Sequence, residues 1–242
     1  MHIPMLTLRI KYRRGHAVRF ISHLDVARAL RRALNRSGIS LAYTQGFSPR
    51  PKIGMGIPLA VGHLSDTEYA DITVAEPIAP QRFAERLNEV LPEGLRVLWA
   101  GKVPPGAASV SASITEIQYQ ASVPWSVISD GERNKDELER ALETFRRVDQ
   151  LIIERERKGK TQRFDLKQQV PMLELAYGAD AVEVTMRIAV RQSGFPKPEE
   201  VLRALFSLED GQIKGASIIR TDVGFSSTSR KGKGEGGTRY ES

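Results

Sequence analysis

The sequence predicts an α+β protein made of two similar halves, each running strand, helix, two strands, helix, strand over an antiparallel sheet. Three observations predict it. Apolar and polar residues alternate in LTLRIKY, ITEIQYQASV and AVEVTMRIAV, the period of a half-buried strand. Apolar residues recur at helical spacing in SHLDVARALRRALNRSG and DELERALETFRRV. The order of these patterns in the first half of the chain is then repeated in the second.

The first half opens with LTLRIKY as a strand, followed by an RRGHA turn and VRFI. In the next helix, Leu24, Ala27, Leu30 and Leu34 fall on one face, and Gly38 ends the pattern. Strand-like stretches KIGMGIPLA and EYADITVAE come next. Pro80 starts a second helix carrying Phe83, Leu87 and Leu91, because a proline at the first helical position loses no hydrogen bond. LRVLWAGKV closes the half as a strand, and PPGAASVSAS reads as a linker from its prolines and small residues.

In the second half, ITEIQYQASV is a strand and DELERALETFRRV a helix with Leu138, Leu142, Phe145 and Val148 inward. LIIERERK and RFDLKQQV form a hairpin around Gly159, and MLELAYG with AVEVTMRIAV another around Gly178, Ala179 and Asp180. PEEVLRALFSL is a proline-started helix, and ASIIRTDVGF is the last strand. This is the ferredoxin-like split β-α-β pattern in tandem. The expected division is a first domain over 1–103, a linker over 104–113, a second domain over 114–225 and a disordered basic tail over 226–242.

Composition narrows the chemistry. Of 242 residues, 40% are hydrophobic, enough for a globular core. Lysine and arginine number 36 against 29 acids, a formal charge of +7 that favours polyanionic partners such as RNA. There is no cysteine, which excludes disulfides, thiol nucleophiles, cysteine zinc sites and a self-ligated iron–sulfur cluster. His2, His16, His23 and His63 show no paired ligand spacing, so neither a metal nor another cofactor is expected. No apolar run approaches the roughly 18 residues of a membrane span, and MHIPMLTLRIKYRRGH lacks the shape of a signal peptide. A cytoplasmic protein is the expectation. Gly54-Met55-Gly56 lacks the third glycine of a dinucleotide loop, and Glu68, Asp71 and Glu76 read as exposed strand acids.

Two stretches carry the candidate site. In Ser22-His23-Leu24-Asp25, Ser22 and Asp25 have the spacing of a capping box, a structural role. His23 then becomes the first helical residue, beside free backbone N–H groups, a position suited to an anion contact or acid/base work. Arg28, Arg31 and Arg32 lie off the apolar stripe of the same helix as a basic face. The second stretch is YTQGFSPRPK. Gln45 and Gly46 make its turn, and Pro49 and Pro51 stiffen its second arm, lowering the entropy lost on gripping a ligand. Arg50 can fork onto a phosphate, Lys52 adds a point charge, and Tyr43 and Phe47 offer flat faces to an unpaired base. Arg155, Arg157, Lys158 and Lys160 around Gly159 suggest a secondary basic surface, whereas GFPKP is explained as a helix start.

The run FISHLDVARALRRALNRSGISLAYTQGFSPRPKIGMGIPLAVGHLSDTEYADI, with LIIERERKGKTQRFDLKQQVPMLEL, GFPKPEEVLRALF and IIRTDVGF later, resembles the radical SAM-linked protein family. Members of that family are fused to, or encoded beside, B12-type radical SAM proteins. The resemblance implies a radical SAM protein as partner. With the basic helix and loop, it leads to a non-catalytic partner that binds structured RNA, such as transfer or ribosomal RNA, and presents it for modification. Two alternatives stand beside it. A tandem ferredoxin-like fold with a histidine at the first strand–helix junction is also similar to CRISPR-type endoribonucleases, with His23 as metal-independent acid/base and Arg28 or Arg50 stabilising the phosphorane. The other is a protein–protein adaptor that touches no nucleic acid.

Overall fold

The computed structural model describes residues 5–128, 135–157, 159–209 and 211–226; the tail expected to be disordered falls almost wholly outside them. The first half contains β1 (Leu6–Arg14), α1 (His23–Arg36), β2 (Ile53–Met55), β3 (Leu64–Val74), α2 (Pro80–Asn88) and β4 (Leu95–Lys102). After α3 (Val110–Ser113) come β5 (Ile114–Pro124), α4 (Trp125–Ile128), α5 (Lys135–Arg147), β6 (Ile152–Arg157) and β7 (Lys160–Asp165). The chain continues through α6 (Leu166–Gln169), β8 (Met172–Tyr177), β9 (Ala181–Ala189), α7 (Pro198–Phe206) and β10 (Ser217–Phe225). The result is an α+β fold whose sheets are almost entirely antiparallel.

One eight-stranded sheet runs through both halves in the order β4-β1-β3-β10-β5-β9-β8, with β2 added to the far end of β3. In the first half, β1 lies between β4 and β3, and β2 borders β3; in the second, β5 lies between β10 and β9, and β8 borders β9. Both halves therefore repeat one strand order. They join where β10 runs parallel to the start of β3, pairing Ile219 with Leu64 and Arg220 with Ser65. The β6–β7 hairpin stands apart as its own two-stranded sheet.

Alternation decides which face is buried. Leu8, Ile10, Tyr12, Ala70, Ile72 and Val74 point from β1 and β3 towards α1 and α2 and form the first core. A second core gathers Ile117, Tyr119, Ala121, Val184 and Met186 against α5 and α7. Helix α1 buries Val26, Ala29, Leu30, Ala33 and Leu34. The expected stripe is thus rotated: Leu24 is 66% exposed and Ala27 only half-buried, because the core-facing positions begin at Val26. VRFI forms no strand; a 3-10 turn over His16–Val18 takes its place. Leu138, Leu142 and Phe145 are buried as expected, and Val148 lies just past the end of α5.

The segment expected to be a linker is built into the molecule. Val110 joins the second core, its backbone N–H donates to Asp71 Oδ2 at 2.9 Å, and Arg9 donates to Ala108 O and Ser113 Oγ. Composition points to a free connection because small residues are common to linkers and to chain lying flat on a sheet.

Candidate nucleic-acid interface

The YTQGFSPRPK stretch forms a short hairpin rooted on the end of β3. Thr44 N–H donates to Arg50 O at 2.9 Å, Arg50 N–H returns to Thr44 Oγ1 at 3.0 Å, and Tyr43 bridges Pro51. Both arms are tied to one residue: Ala42 N–H donates to Thr73 O, and Thr73 N–H donates to Lys52 O. Gly46 turns the tip at φ 124°, a conformation that side chains rarely adopt. Phe47 is fully exposed and Tyr43 is 44% exposed, so neither ring staples the loop to the core. Gln45 and Arg50 are exposed and Lys52 half-exposed, and neither cation has an ion pair among the described residues. A fixed root under an apolar tip and two cations can take an unpaired base and adjoining phosphates.

The cap at Ser22 forms as expected. Ser22 Oγ accepts from Asp25 N–H at 3.2 Å, and its own hydroxyl donates to Asp25 Oδ2 at 2.7 Å. Arg28 donates to Asp25 Oδ1 at 2.8 Å, and these bonds hold the Asp25 carboxyl below the ordinary aspartate range. Arg28 is therefore engaged in the cap, Arg31 is half-buried, and Arg32 is exposed. The basic face of α1 is thinner than its composition suggests.

His23 and the hairpin stand at opposite ends of the first sheet. His23 comes after the Arg14 end of β1, while the hairpin is rooted beside the Leu6 end, where Leu6 pairs with Val74. Nine residues of strand separate the ends, about 25–30 Å at the usual rise per residue. His23 and Arg50 thus form no common acid/base and phosphorane-stabilising site.

Beneath His23 is a buried charged cluster. Glu68 and Arg220 are 4% and 2% exposed, with Arg220 Nη1 2.9 Å from Glu68 Oε1. Arg220 also donates to Ile57 O, Pro58 O and Tyr119 Oη, which bolts β10 to the first half. Arg14 is equally buried and donates to the carbonyls of Val18, Arg19 and Ile21, fixing the turn that delivers His23. His63 Nε2, 2.9 Å from Glu199 Oε1, adds a second link between the halves. The expectation that Glu68 and Asp71 are exposed strand acids is overturned: Glu68 is buried, and Asp71 is held by Arg9 at 2.7 Å. Glu76 alone of the three is exposed.

Burial lowers the His23 pKa most; Glu68 opposes this, and Arg14 and Arg220 reinforce it. His23 is expected to titrate below the ordinary 6.5 and to be neutral at pH 7. Between those two pKa values the unfolded chain binds the extra proton, so His23 reduces stability as pH falls below about 6.5. Imidazole proton resonances followed by NMR between pH 4 and 8 would show it; a midpoint at or above 6.5 contradicts the burial argument.

Arg155 is not available to a second basic surface. It is clamped to Glu200 with Nε–Oε1 at 2.6 Å, donates to Phe195 O and lies over the Phe164 ring, so it packs the β6–β7 hairpin onto α7. Lys160 is exposed, while the Arg157 side chain and Lys158 lie outside the described residues. Lys197 N–H donates to Glu200 Oε2 at 2.7 Å and Pro198 opens α7, so GFPKP serves as a helix start. A cavity of about 410 Å³ lined by Ile152, Arg163, Asp165, Gln168, Gln169, Arg191 and Ser193 includes none of the residues singled out in the sequence.

Fold and surface together define an α+β protein with one long sheet, an inter-half charge cluster and an aromatic, cationic hairpin. The chain belongs to the family described as an uncharacterized protein conserved in bacteria (DUF2344), whose model matches residues 7–198. Comparison with curated proteins gives no match. Among solved structures it is similar to a chain of a Cbf5-Nop10-Gar1 complex, at 12% identity and TM-score 0.48, over 93% of this chain and 50% of that one. It is also similar to a chain of an H/ACA RNP bound to a substrate RNA containing 2'-deoxyuridine, at 12% identity and TM-score 0.44, over 92% and 49%. A third is an unknown protein from Galdieria sulphuraria, at 14% identity and TM-score 0.26, over 92% and 99%. The chain spans about half the length of the first two. No helix among the described residues is long and apolar enough to cross a membrane.

Proposed function

We propose that this protein is a non-catalytic RNA-binding partner that holds structured RNA for modification by a radical SAM enzyme. The observation that carries the RNA-binding part is the 41–52 hairpin, which presents a fully exposed phenylalanine, a second half-exposed ring and two cations with no ion pair among the described residues, on a pinned root. Exposing Phe47 gains nothing for folding, whereas a partner base stacked on it is worth about 1–3 kcal/mol. The radical SAM partner rests on the resemblance carried by SHLD and QGFSPRPK, and the absence of cysteine leaves cluster chemistry to that partner. The repeated strand order supports reading each half as a ferredoxin-like unit.

The test is binding of labelled transfer RNA over a salt series, with the same samples run on a denaturing gel. An Arg50→Ala/Lys52→Ala variant is expected to lower the slope of log affinity against log salt by about 1.4, two single-strand phosphate contacts. The parent's advantage over this variant is then roughly sevenfold larger at 50 mM salt than at 200 mM. Intact RNA fits a presenting role; cleavage lost in His23→Ala would replace it with the endoribonuclease reading. Absence of binding to transfer RNA and to ribosomal RNA fragments would leave the protein–protein adaptor.

A further inference from the structure

The repeat in strand order extends to what each half inserts between its first long helix and the next strand of the sheet. In the first half, the chain leaves α1, forms the YTQGFSPRPK hairpin and enters β2. In the second, it leaves α5, forms the β6–β7 hairpin and α6, and enters β8. Because β2 borders β3 and β8 borders β9, the two insertions occupy equivalent places. Strands β3 and β9 also run the same way, since β10 is parallel to β3 and β5 is antiparallel to both β10 and β9. Both insertions therefore meet the common sheet at the same end, three strands apart, roughly 15 Å across the strands.

Where the first half presents an exposed hairpin, the second has the recess of about 410 Å³. That volume falls in the ~300–1,000 Å³ range of small-molecule sites and is far more than a lone phosphate fills. The fold brings its walls together from the β6–β7 hairpin, α6 and the turn after β9. That turn is fixed: Gly194 N–H donates to Arg191 O at 3.0 Å, and Gln169 Nε2 donates to Gly194 O at 3.0 Å. Gln169 is 7% exposed, so a buried side chain sets this wall. Asp165 Oδ1 accepts from the N–H groups of Leu151 and Lys167, which ties α6 to the start of β6.

The lining combines one free cation with neutral polar groups. Arg191 is exposed and has no ion pair among the described residues. Arg163 is tied to Glu154 at 2.8 Å, an exposed pair of the kind that contributes little and yields to a better anion. The Gln168 amide offers donors and an acceptor, Ser193 adds a hydroxyl, and Ile152, 42% exposed, gives an apolar contact. A guanidinium that forks onto phosphate, polar groups for a ribose and a base edge, and an aliphatic side chain for a ring face match the parts of one nucleotide. The Asp165 carboxylate in the same lining disfavours a longer phosphate chain. We propose that this recess binds one nucleoside monophosphate unit, free or as an unpaired residue of an RNA chain, with its phosphate on Arg191. The site goes beyond the hairpin, which carries its own rings and cations on a separate root. Inorganic phosphate alone would use Arg191 and leave Gln168, Ser193 and Ile152 without a role.

The probes are the adenosine, guanosine, cytidine and uridine 5′-monophosphates and inorganic phosphate, titrated by calorimetry. A fluorescein-labelled single-stranded RNA 12-mer of mixed sequence is followed by anisotropy. At least one monophosphate is expected to bind more tightly than inorganic phosphate. Arg191→Ala should weaken it roughly 10- to 150-fold, the loss of a hydrogen bond to a charged group, and Gln168→Ala roughly 2- to 13-fold. Both side chains are exposed, so neither change touches the core. Arg191→Lys keeps the charge without the fork and should fall between the parent and Arg191→Ala. The 12-mer separates the sources: RNA affinity weakened by Arg191→Ala assigns the recess to a nucleotide within RNA, whereas unchanged RNA affinity with weakened monophosphate binding assigns it to a free nucleotide. Monophosphate and RNA affinities both unchanged in Arg191→Ala and Gln168→Ala overturn the site, as does inorganic phosphate binding as tightly as every monophosphate. Arg50→Ala/Lys52→Ala should bind monophosphates like the parent. RNA binding lost in that variant, with no effect of Arg191→Ala on any probe, overturns the recess and leaves the hairpin reading intact.

Discussion

Replacing Glu68 by alanine is expected to destabilise the protein by about 3–5 kcal/mol, the usual effect of removing one partner of a buried ion pair. For a chain of this size that lowers the melting temperature by roughly 6–20 °C. The reason is the charge left behind. Burial works against the Arg220 guanidinium, yet Glu68 and Tyr119 hold its pKa above the ordinary arginine value, so it remains protonated. Its bonds to Ile57 O, Pro58 O and Tyr119 Oη satisfy donors but supply no counter-charge. Glu68→Ala/Arg220→Met removes both charges and is expected to recover most of the loss, since apolar replacements of buried pairs are often neutral. Thermal unfolding by circular dichroism measures both. If the single variant melts within a degree or two of the parent, the pair does not bolt the halves together.

Those buried charges are written in the sequence as a parity. In LTLRIKYRR the core-facing positions are Leu8, Ile10 and Tyr12, and Arg14 continues the series. In β3, Glu68 has the parity of Ala70, Ile72 and Val74; in β10, Arg220 has the parity of Ile218. A charged residue at a core-facing strand position signals a buried partner elsewhere: Glu68 and Arg220 answer each other, and Arg14 is answered by backbone carbonyls. Elements of strong periodicity are legible for the same reason: α5, α7 and the β8–β9 hairpin stand where alternation and helical spacing put them. Helix α1 is legible as a helix but not in its rotation, because LDVARALRRAL offers alanines and leucines on more than one side, and tertiary packing chooses Val26 over Leu24. The docking of residues 104–113 is not legible, since it depends on Arg9 and Asp71, far away in the chain. Trp99 stands out in the sequence only as part of a closing strand. Its place in one row with Lys11 and Tyr69 comes from register across three strands, which one sequence does not state.

Substituting both hairpin rings, Tyr43→Ala/Phe47→Ala, is expected to give the largest loss of RNA affinity, roughly 30- to 20,000-fold, if each stacks a base. Stability should hardly change, because Phe47 is fully exposed and the hairpin is held by backbone bonds to Thr73 and by the Thr44–Arg50 pair, which alanine at these positions keeps. The salt dependence separates this variant from Arg50→Ala/Lys52→Ala. Stacking displaces no condensed counterions, so the aromatic variant should shift the line of log affinity against log salt downward without changing its slope. The cationic variant should change the slope itself. Titration of each with the same transfer RNA between 50 and 300 mM salt would give two distinguishable signatures. Parallel loss with identical slopes in both variants would mean that the hairpin acts only as a folded unit, and that neither its rings nor its cations touch RNA in the manner described. A slope change in the aromatic variant alone would mean that the rings position the cations and do not stack. A downward shift with unchanged slope is the one result that puts bases on Tyr43 and Phe47.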